Sequence, residues 1–467
     1  MTAEAIRQIR WVQMPAVTRS SCMAALATLV STAFAAGAAA PEPAAPLLSL
    51  EDAIEIALHD NHLLTGTALT IDEAEERTAA LRTRRLPVLG LAASEGGWLD
   101  ELDFTIPAGS LGNVPPIGTF PSEDATLSVP DDQGGVLTVS VSQPLTQQYK
   151  IGLGLQVTRL DRQIAEEDVR RDRQRVVADV RSTYYQMSAT QQGIVALRDL
   201  VRAVEELDSV TARYLAEGIV LRSDALEVVA RLALERQRLA AAESDLATQQ
   251  EQLNQLLGRD LRMSFHVAKP SELAPPAASL TLEEARERAQ ASRPEIHSAS
   301  LVTARADTTR RLAVAGWIPD VSLTASHARL TSFETLPDSN TTVGLYLDWE
   351  PFDWGRKRHE AAERAHQTQR AREGHQETEQ QIAVEVGQRW RALKDAAALL
   401  EAMRLEQDAT AASLETDRNR YRENAAILRD VLRTEARNSS ALRDFTDALA
   451  GYWSAVARLE RAIGNEN

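Results

Sequence analysis

Apolar residues along this chain follow two periods, and the places where one gives way to the other outline the protein. From Leu48 the spacing is helical, through Ile54, Ala57 and Leu58. Ser49 stands where an N-cap belongs, and Glu51 and Asp52 suit the positive end of a helix. The pattern predicts one helix running to about Arg85, stopped by Pro87. The period then becomes two: Leu89, Leu91 and Ala93 alternate with Gly90, Ala92 and Ser94, a short strand. Residues 95–134 are rich in glycine, proline and acids and read as a long irregular loop. A second strand over Val136–Leu145 sets Leu137, Val139 and Val141 against Thr138, Ser140 and Ser142. A helix from about Gly154 to Arg213, a reversal, and a helix from about Ser223 to Leu257 complete the first pass.

The chain then repeats itself. Leu280-Thr-Leu-Glu-Glu-Ala echoes the first helix, and Leu86-Pro87 corresponds to Ile318-Pro319, 232 positions on. Val321, Leu323 and Ala325 alternate with Ser322, Thr324 and Ser326; Val343, Leu345, Leu347 and Trp349 alternate with Gly344, Tyr346, Asp348 and Glu350. Past these strands Pro144 matches Pro351 at offset 207, and Tyr184 matches Trp390 and Gly258 matches Gly464 at offset 206. The first strand pair therefore carries about 25 extra loop residues (232 less 207). A period this long, kept through helix, strands and helical hairpin, signals tandem duplication of two units, 48–260 and 280–464.

The expected fold is mainly α with a small β part. About 60 residues at ~1.5 Å rise make a helix of roughly 90 Å. Leu232, Leu239, Leu246 and Leu253 recur every seven residues, so the hairpins read as antiparallel coiled coil. Two strands per half give four per chain, too few to close a barrel, and open apolar edges aggregate. Closure then requires several chains, and three chains give an even twelve strands. Trp98, Trp349, Phe352 and Trp354 sit at strand ends, where an aromatic girdle belongs. The competing architecture is a small soluble sheet packed on a helical domain.

Composition narrows the function. A net charge of −16 argues against a nucleic-acid partner. No internal apolar run reaches the roughly 18 residues of a membrane helix, which leaves membrane strands open. Arg7, Arg10 and Arg19, the apolar run Met23–Phe34 and Ala33-Phe34-Ala35 read as a signal peptide over 1–35, with Met1 or Met14 as the start. Cys22 would leave with it, so the mature chain has no thiol chemistry. His59 and His62 share a helix face, but no Cys or third nearby His completes a metal site. No cofactor loop, nucleophile or paired-carboxylate constellation stands out, so neither cofactor, metal nor catalysis is expected.

The duplicated order of helix, strand pair and long helical hairpin resembles the TolC family of outer-membrane efflux proteins, as do Leu280-Thr-Leu-Glu-Glu-Ala and the run from Arg420 to Leu432. The similarity extends from Leu48 to Gly464. It implies a homotrimer whose four transmembrane strands per chain form a 12-stranded β-barrel in outer-membrane lipid. A trimeric α-barrel then hangs into the periplasm and docks with a periplasmic adaptor (membrane fusion protein) and an inner-membrane pump. It also implies that the helix reversals form the periplasmic gate and the docking tips. Tyr421, Asp430 and Asp224 are the expected constriction residues; Tyr214, Glu217, Gly218, Glu423 and Asn424 are the expected tips. Ala426 and Arg433 depart from the family pattern. Asp430 reads equally as an N-cap or first-turn acid of its helix, and for Asp224 that cap reading is the favoured one. The alternative from another class is a soluble periplasmic coiled-coil adaptor or scaffold.

Overall fold

A computed structural model of the chain describes residues 46–97, 102–129, 133–268, 280–331, 338–423, 425 and 428–465. The expected signal peptide, Trp98 and Asn424 lie outside these residues. Within them the chain is mostly helical. β1 (Leu47–Leu48) leads into α1 (Leu50–Asp60) and α2 (His62–Thr83). β2 (Val88–Gly97) follows, then β3 (Leu102–Ile106), β4 (Asn113–Val114), β5 (Gly118–Thr119), β6 (Ala125–Val129) and β7 (Gln133–Pro144). α3 (Gln147–Ala216) and α4 (Arg222–Leu256) form the first long hairpin, and β8 (His266–Val267) pairs in parallel with β1. The second half runs α5 (Leu282–Ser292), α6 (Pro294–Ala315), β9 (Asp320–Thr331), β10 (Ser339–Asp348), α7 (Arg356–Arg422) and α8 (Leu428–Ala462).

Two expectations are corrected. The helix from Leu50 breaks at Asn61 instead of running unbroken to Arg85. The Asn61 side chain accepts from Leu63 N at 2.9 Å and Leu64 N at 3.2 Å, capping α2, while its Nδ2 donates to Leu256 O at 2.7 Å. A partner 195 residues away thus fixes the break. Segment 95–134 is likewise not wholly irregular, since it contains the paired strands β3–β6 and β4–β5. Alternation at Phe104-Thr-Ile106 carries the first pair, and the surrounding glycines and prolines hid it.

The helix starts follow capping rules. Ser49 Oγ accepts from Asp52 N at 3.0 Å. Thr281 and Glu284 form a reciprocal capping box with bonds of 2.9 and 3.2 Å. At 70 residues α3 spans roughly 105 Å. Its first half lies between α2 and α6, with ion pairs Arg162–Glu75 (3.0 Å) and Arg305–Asp161 (3.1 Å). Its second half lies between α4 and α8, where Arg198 pairs with Glu243 and Arg181 with Glu460. α7 packs beside α6 and α5 above and α8 below, so each level is four helices wide.

The main core sits where the levels meet, around Val180, Tyr184, Met187, Leu253, Leu257, Phe265 and Trp453. Tyr184 donates its hydroxyl to Leu48 O and accepts from Ala268 N, both at 3.0 Å, and burial raises its pKa. Trp390 Nε1 donates to Leu280 O at 2.9 Å, the same bond made with indole in the other half. Gly258 and Gly464 end the two return helices at φ +67° and +78°. Both press against the break between short and medium helix, where a Cβ on Gly258 would fall 2.1 Å from Asp60 O and one on Gly464 2.9 Å from Ser292 C.

Candidate functional site: an open apolar sheet and two helical reversals

β2, β7, β9 and β10 form one antiparallel sheet in the order β10-β9-β7-β2. Register puts Val343, Ala325, Val141 and Leu89 in one row of one face. Leu345 with Leu323, and Val139 with Leu91, extend that face. Apart from the half-buried Ala325 these residues are exposed in the single chain, with Leu91 and Val343 each at 73%. The opposite face carries Ser140, Ser142, Thr324, Ser326 and Thr342, with Ser326 and Thr342 hydroxyls 2.7 Å apart. Period-2 alternation thus makes an apolar face and a hydroxyl-lined face. Among the described residues both edges, β2 and β10, are unpaired beyond this sheet. No described helix is long and apolar enough to cross a membrane.

Aromatic residues gather where the sheet meets the helices. Trp349, Phe352 and Trp354 are exposed, and the Phe352 and Trp354 rings meet edge to face at 4.8 Å. Trp317, between α6 and β9, belongs with them and escaped the sequence reading; Lys357 Nζ lies 5.8 Å from its ring. Trp354 and Gly355 take left-handed φ values of 56° and 88°. Asp353 holds that turn, accepting from Gly355 N at 3.1 Å and Lys357 N at 2.9 Å. Those bonds, Lys357 N foremost, hold its carboxyl below the usual range.

The two reversals lie at the far ends of the long helices. In the first, Glu217 is the C-cap and Gly218 takes φ +72°. Ile219 N donates to Tyr214 O at 2.8 Å, closing the turn. Asp224 lies exposed in the first turn of α4, with Ser223 Oγ at 3.4 Å from its carboxylate and Leu221 as the N-cap. Leu215, Ile219, Leu221, Leu226 and Val229 surround it, all exposed. Sequence reasoning missed this apolar tip, although Ile219-Val-Leu221 directly after a turn glycine was a readable signal.

The second reversal joins α7 to α8. Glu423 is the C-cap, Tyr421 is exposed, and Ala425 N donates to Arg420 O at 2.8 Å. Asp430 is half-buried in the first turn of α8. Its carbonyl accepts from Thr434 Oγ1 at 3.1 Å, and the same hydroxyl reaches Asp417 Oδ2 at 2.5 Å. Arg418 pairs with Glu435 at 3.0 Å, so side chains lock α7 to α8 just above the turn. Tyr214, Glu217, Gly218 and Asp224 thus share one tip, and Tyr421, Glu423 and Asp430 the other.

No curated protein matches the chain. Solved structures do. The Campylobacter jejuni CmeC outer membrane channel is 16% identical at TM-score 0.73, over 89% of this chain and 86% of that one. The outer membrane protein VceC of Vibrio cholerae is 17% identical at TM-score 0.69, over 89% and 96%. The Neisseria gonorrhoeae MtrE outer membrane channel is 17% identical at TM-score 0.64, over 89% of each chain. At these identities the likeness is one of fold. The family model for outer membrane efflux proteins matches residues 53–259 and 285–465, most of both halves. The chain belongs to the outer membrane efflux protein family.

Proposed function

We propose that the protein is the outer-membrane exit duct of a tripartite efflux or type I secretion system, working as a homotrimer. The observation that carries this reading is the four-stranded sheet with two open edges and one exposed apolar face. In water such a sheet aggregates; closed with two copies and immersed in lipid, its edges are paired and its apolar face solvated. The register supports a membrane barrel. Apolar triplets centre on Leu345, Leu323, Val139 and Leu91, yet Leu323 faces Gln143, four residues from Val139. Four residues over three strand steps, at ~3.4 Å per residue and ~4.8 Å per step, amount to a tilt of about 43°. Membrane barrels tilt by ~35–45°.

The twelve strands would form the barrel, with hydroxyls of β7 and β9 facing the lumen and Trp349, Phe352 and Trp354 at the periplasmic interface. The long hairpins would form the periplasmic tunnel wall. Asp430, with Tyr421 and Asp224, would line its mouth, three carboxylates concentrating negative potential there. The tips at Tyr214, Glu217, Gly218, Glu423 and Asn424 would meet a periplasmic adaptor, which links the duct to an inner-membrane pump. Tandem duplication explains why Tyr184 and Trp390, and Gly258 and Gly464, make equivalent contacts. Fractionation tests the reading: it expects an SDS-resistant trimer in the outer membrane. A monomer in the soluble periplasmic fraction would instead favour the adaptor or scaffold.

A further inference from the structure

We propose that the ribbon built from β3–β6 and β4–β5 is an interface between copies of this chain, packing with two others over the outward end of the channel. The inference rests on the trimeric channel reading. The ribbon is a specified structure. The β3–β6 register runs from Leu102↔Val129 to Ile106↔Ala125. Gly109 N→Pro121 O (2.8 Å), Leu111 N→Phe120 O (3.1 Å) and Phe120 N→Gly112 O (2.9 Å) continue the ladder to β4–β5. Asp124 Oδ1 accepts from Ala108 N at 2.8 Å. A two-stranded ribbon alone is marginal in water. This one also exposes Phe104 (58%), Leu111 (63%), Val114 (47%), Ile117 (77%) and Phe120 (53%). Apolar surface gathered in this way marks an interaction site.

Charge selects the occupant. Between Phe104 and Ser122 the sequence has no charged residue. The flanks carry Glu95, Asp100, Glu101 and Asp103 before it and Glu123, Asp124, Asp131 and Asp132 after it, with no Lys, Arg or His. Those eight acids disfavour an anionic lipid headgroup surface as the cover for the apolar tip. Two further copies carry the same acids, but on the flanks, outside the uncharged stretch from Phe104 to Ser122, so tips that meet at their ends supply apolar surface in kind.

Reach permits the contact. Fifteen residue steps from Leu102 to Ile117 at ~3.3 Å extend to about 50 Å. A 12-stranded barrel tilted by ~40° with strands ~4.8 Å apart has a radius of about 12 Å. The second half has no such excursion, since β9 ends at Thr331 and β10 begins at Ser339. Each trimer therefore holds three ribbons related by the three-fold axis, the arrangement in which identical tips meet.

The test uses full-length Ile117→Cys in a Cys22→Ser background, purified as dilute trimers in detergent and mildly oxidised. The expected result is a covalently linked pair of chains on a denaturing, non-reducing gel. Thr105→Cys, on the other face of β3, is expected to stay monomeric on the same gel. Replacing Phe104, Ile117 and Phe120 with serine is expected to raise single-channel conductance several-fold. Trimers that conduct but do not cross-link at Ile117→Cys overturn this proposal and leave the channel reading intact. A wild-type protein that neither trimerises nor conducts overturns the channel reading itself.

Discussion

Gly258→Ala probes the joint that holds the two levels of helices together. Gly258 sits at φ +67°, a region that costs an alanine about 1–2 kcal/mol. Its new Cβ would lie 2.1 Å from Asp60 O and 2.7 Å from Asp60 C. Normal contact needs roughly 1 Å more, and the obstruction is backbone, which cannot rotate aside. Moving Asp60 displaces Asn61, whose Nδ2 holds Leu256 O at 2.7 Å; losing that bond costs about 1 kcal/mol. Distorted backbone adds a further ~1–2 kcal/mol, for a total of about 3–5 kcal/mol. Gly464→Ala, at φ +78°, also meets backbone, but at 2.9–3.0 Å it needs a smaller shift than Gly258→Ala. Its cost is the ~1–2 kcal/mol conformational term plus a smaller backbone adjustment, below that of Gly258→Ala. Gly374→Ala, mid-helix with open space around it, is expected to gain about 0.5–1 kcal/mol. Urea unfolding in detergent, followed by helical circular dichroism, is expected to rank the midpoints Gly258→Ala, Gly464→Ala, wild type, Gly374→Ala from lowest to highest. A Gly258→Ala midpoint at or above that of Gly464→Ala would refute the steric reasoning.

Other predictions follow from the mouth, the tips and the polar joints. Asp430→Asn is expected to lower cation selectivity in planar bilayers; unchanged selectivity removes the proposed carboxylate ring. Ile219→Asp with Leu221→Asp is expected to abolish efflux complementation while leaving the SDS-resistant trimer intact, and full complementation would detach the apolar tip from adaptor docking. Arg293, almost fully buried, reaches Glu385 at 2.9 Å and donates to Arg461 O at 3.2 Å. Arg293→Met removes the cation shared by Glu295 and Glu385, both partly exposed, and should cost less than the ~3–5 kcal/mol of a fully buried pair in the same urea assay, with Glu385→Gln partly restoring stability. Backbone and side-chain bonds from Thr281 hold the Glu284 carboxyl below its ordinary range. A depressed folded-state pKa contributes stability above the unfolded value and loses it as pH falls through the folded one. Amide protection factors in the first turn of α5, taken relative to intrinsic exchange at each pH, should therefore fall in acid for wild type and not for Glu284→Gln, which keeps the reciprocal bond without titrating.

Much of the fold was legible because it rests on local periods. Alternation gave the four sheet strands, and 3.6- and seven-residue spacing gave the long hairpins, though α3 starts at Gln147, seven residues before the expected Gly154, and β9 runs on to Thr331. The failures share a cause. The break at Asn61 depends on a carbonyl contributed from the end of α4, and the β3–β6 ribbon depends on pairing across a glycine- and proline-rich span; neither shows in a local window. The two reversals were legible as turns from Gly218 and the run Arg422-Glu-Asn424, but the apolar character of the first tip emerges only when exposure is known.

The joints of the two halves show why sequence identity between them is low where their geometry agrees. At the break between short and medium helix one half uses Asn61, a neutral amide bonded to Leu256 O; the other uses Arg293, bonded to Arg461 O and paired with Glu385. The requirement at both places is a donor that reaches the orphan carbonyls ending a return helix. An amide meets it with one bond. A guanidinium meets it only with carboxylates beside it, so Glu295 and Glu385 accompany Arg293. Exchanging the solutions tests this directly. Asn61→Arg places a charge in a site 6% exposed where Leu63 stands in place of Glu295 and Asp179, at the position of Glu385, already pairs with Arg175 at 3.7 Å, and should destabilise the joint. Arg293→Asn combined with Glu295→Gln and Glu385→Gln keeps a donor and removes both stranded charges, and should be tolerated better. If both exchanges cost the same in urea unfolding, the two joints are not alternative answers to one backbone requirement.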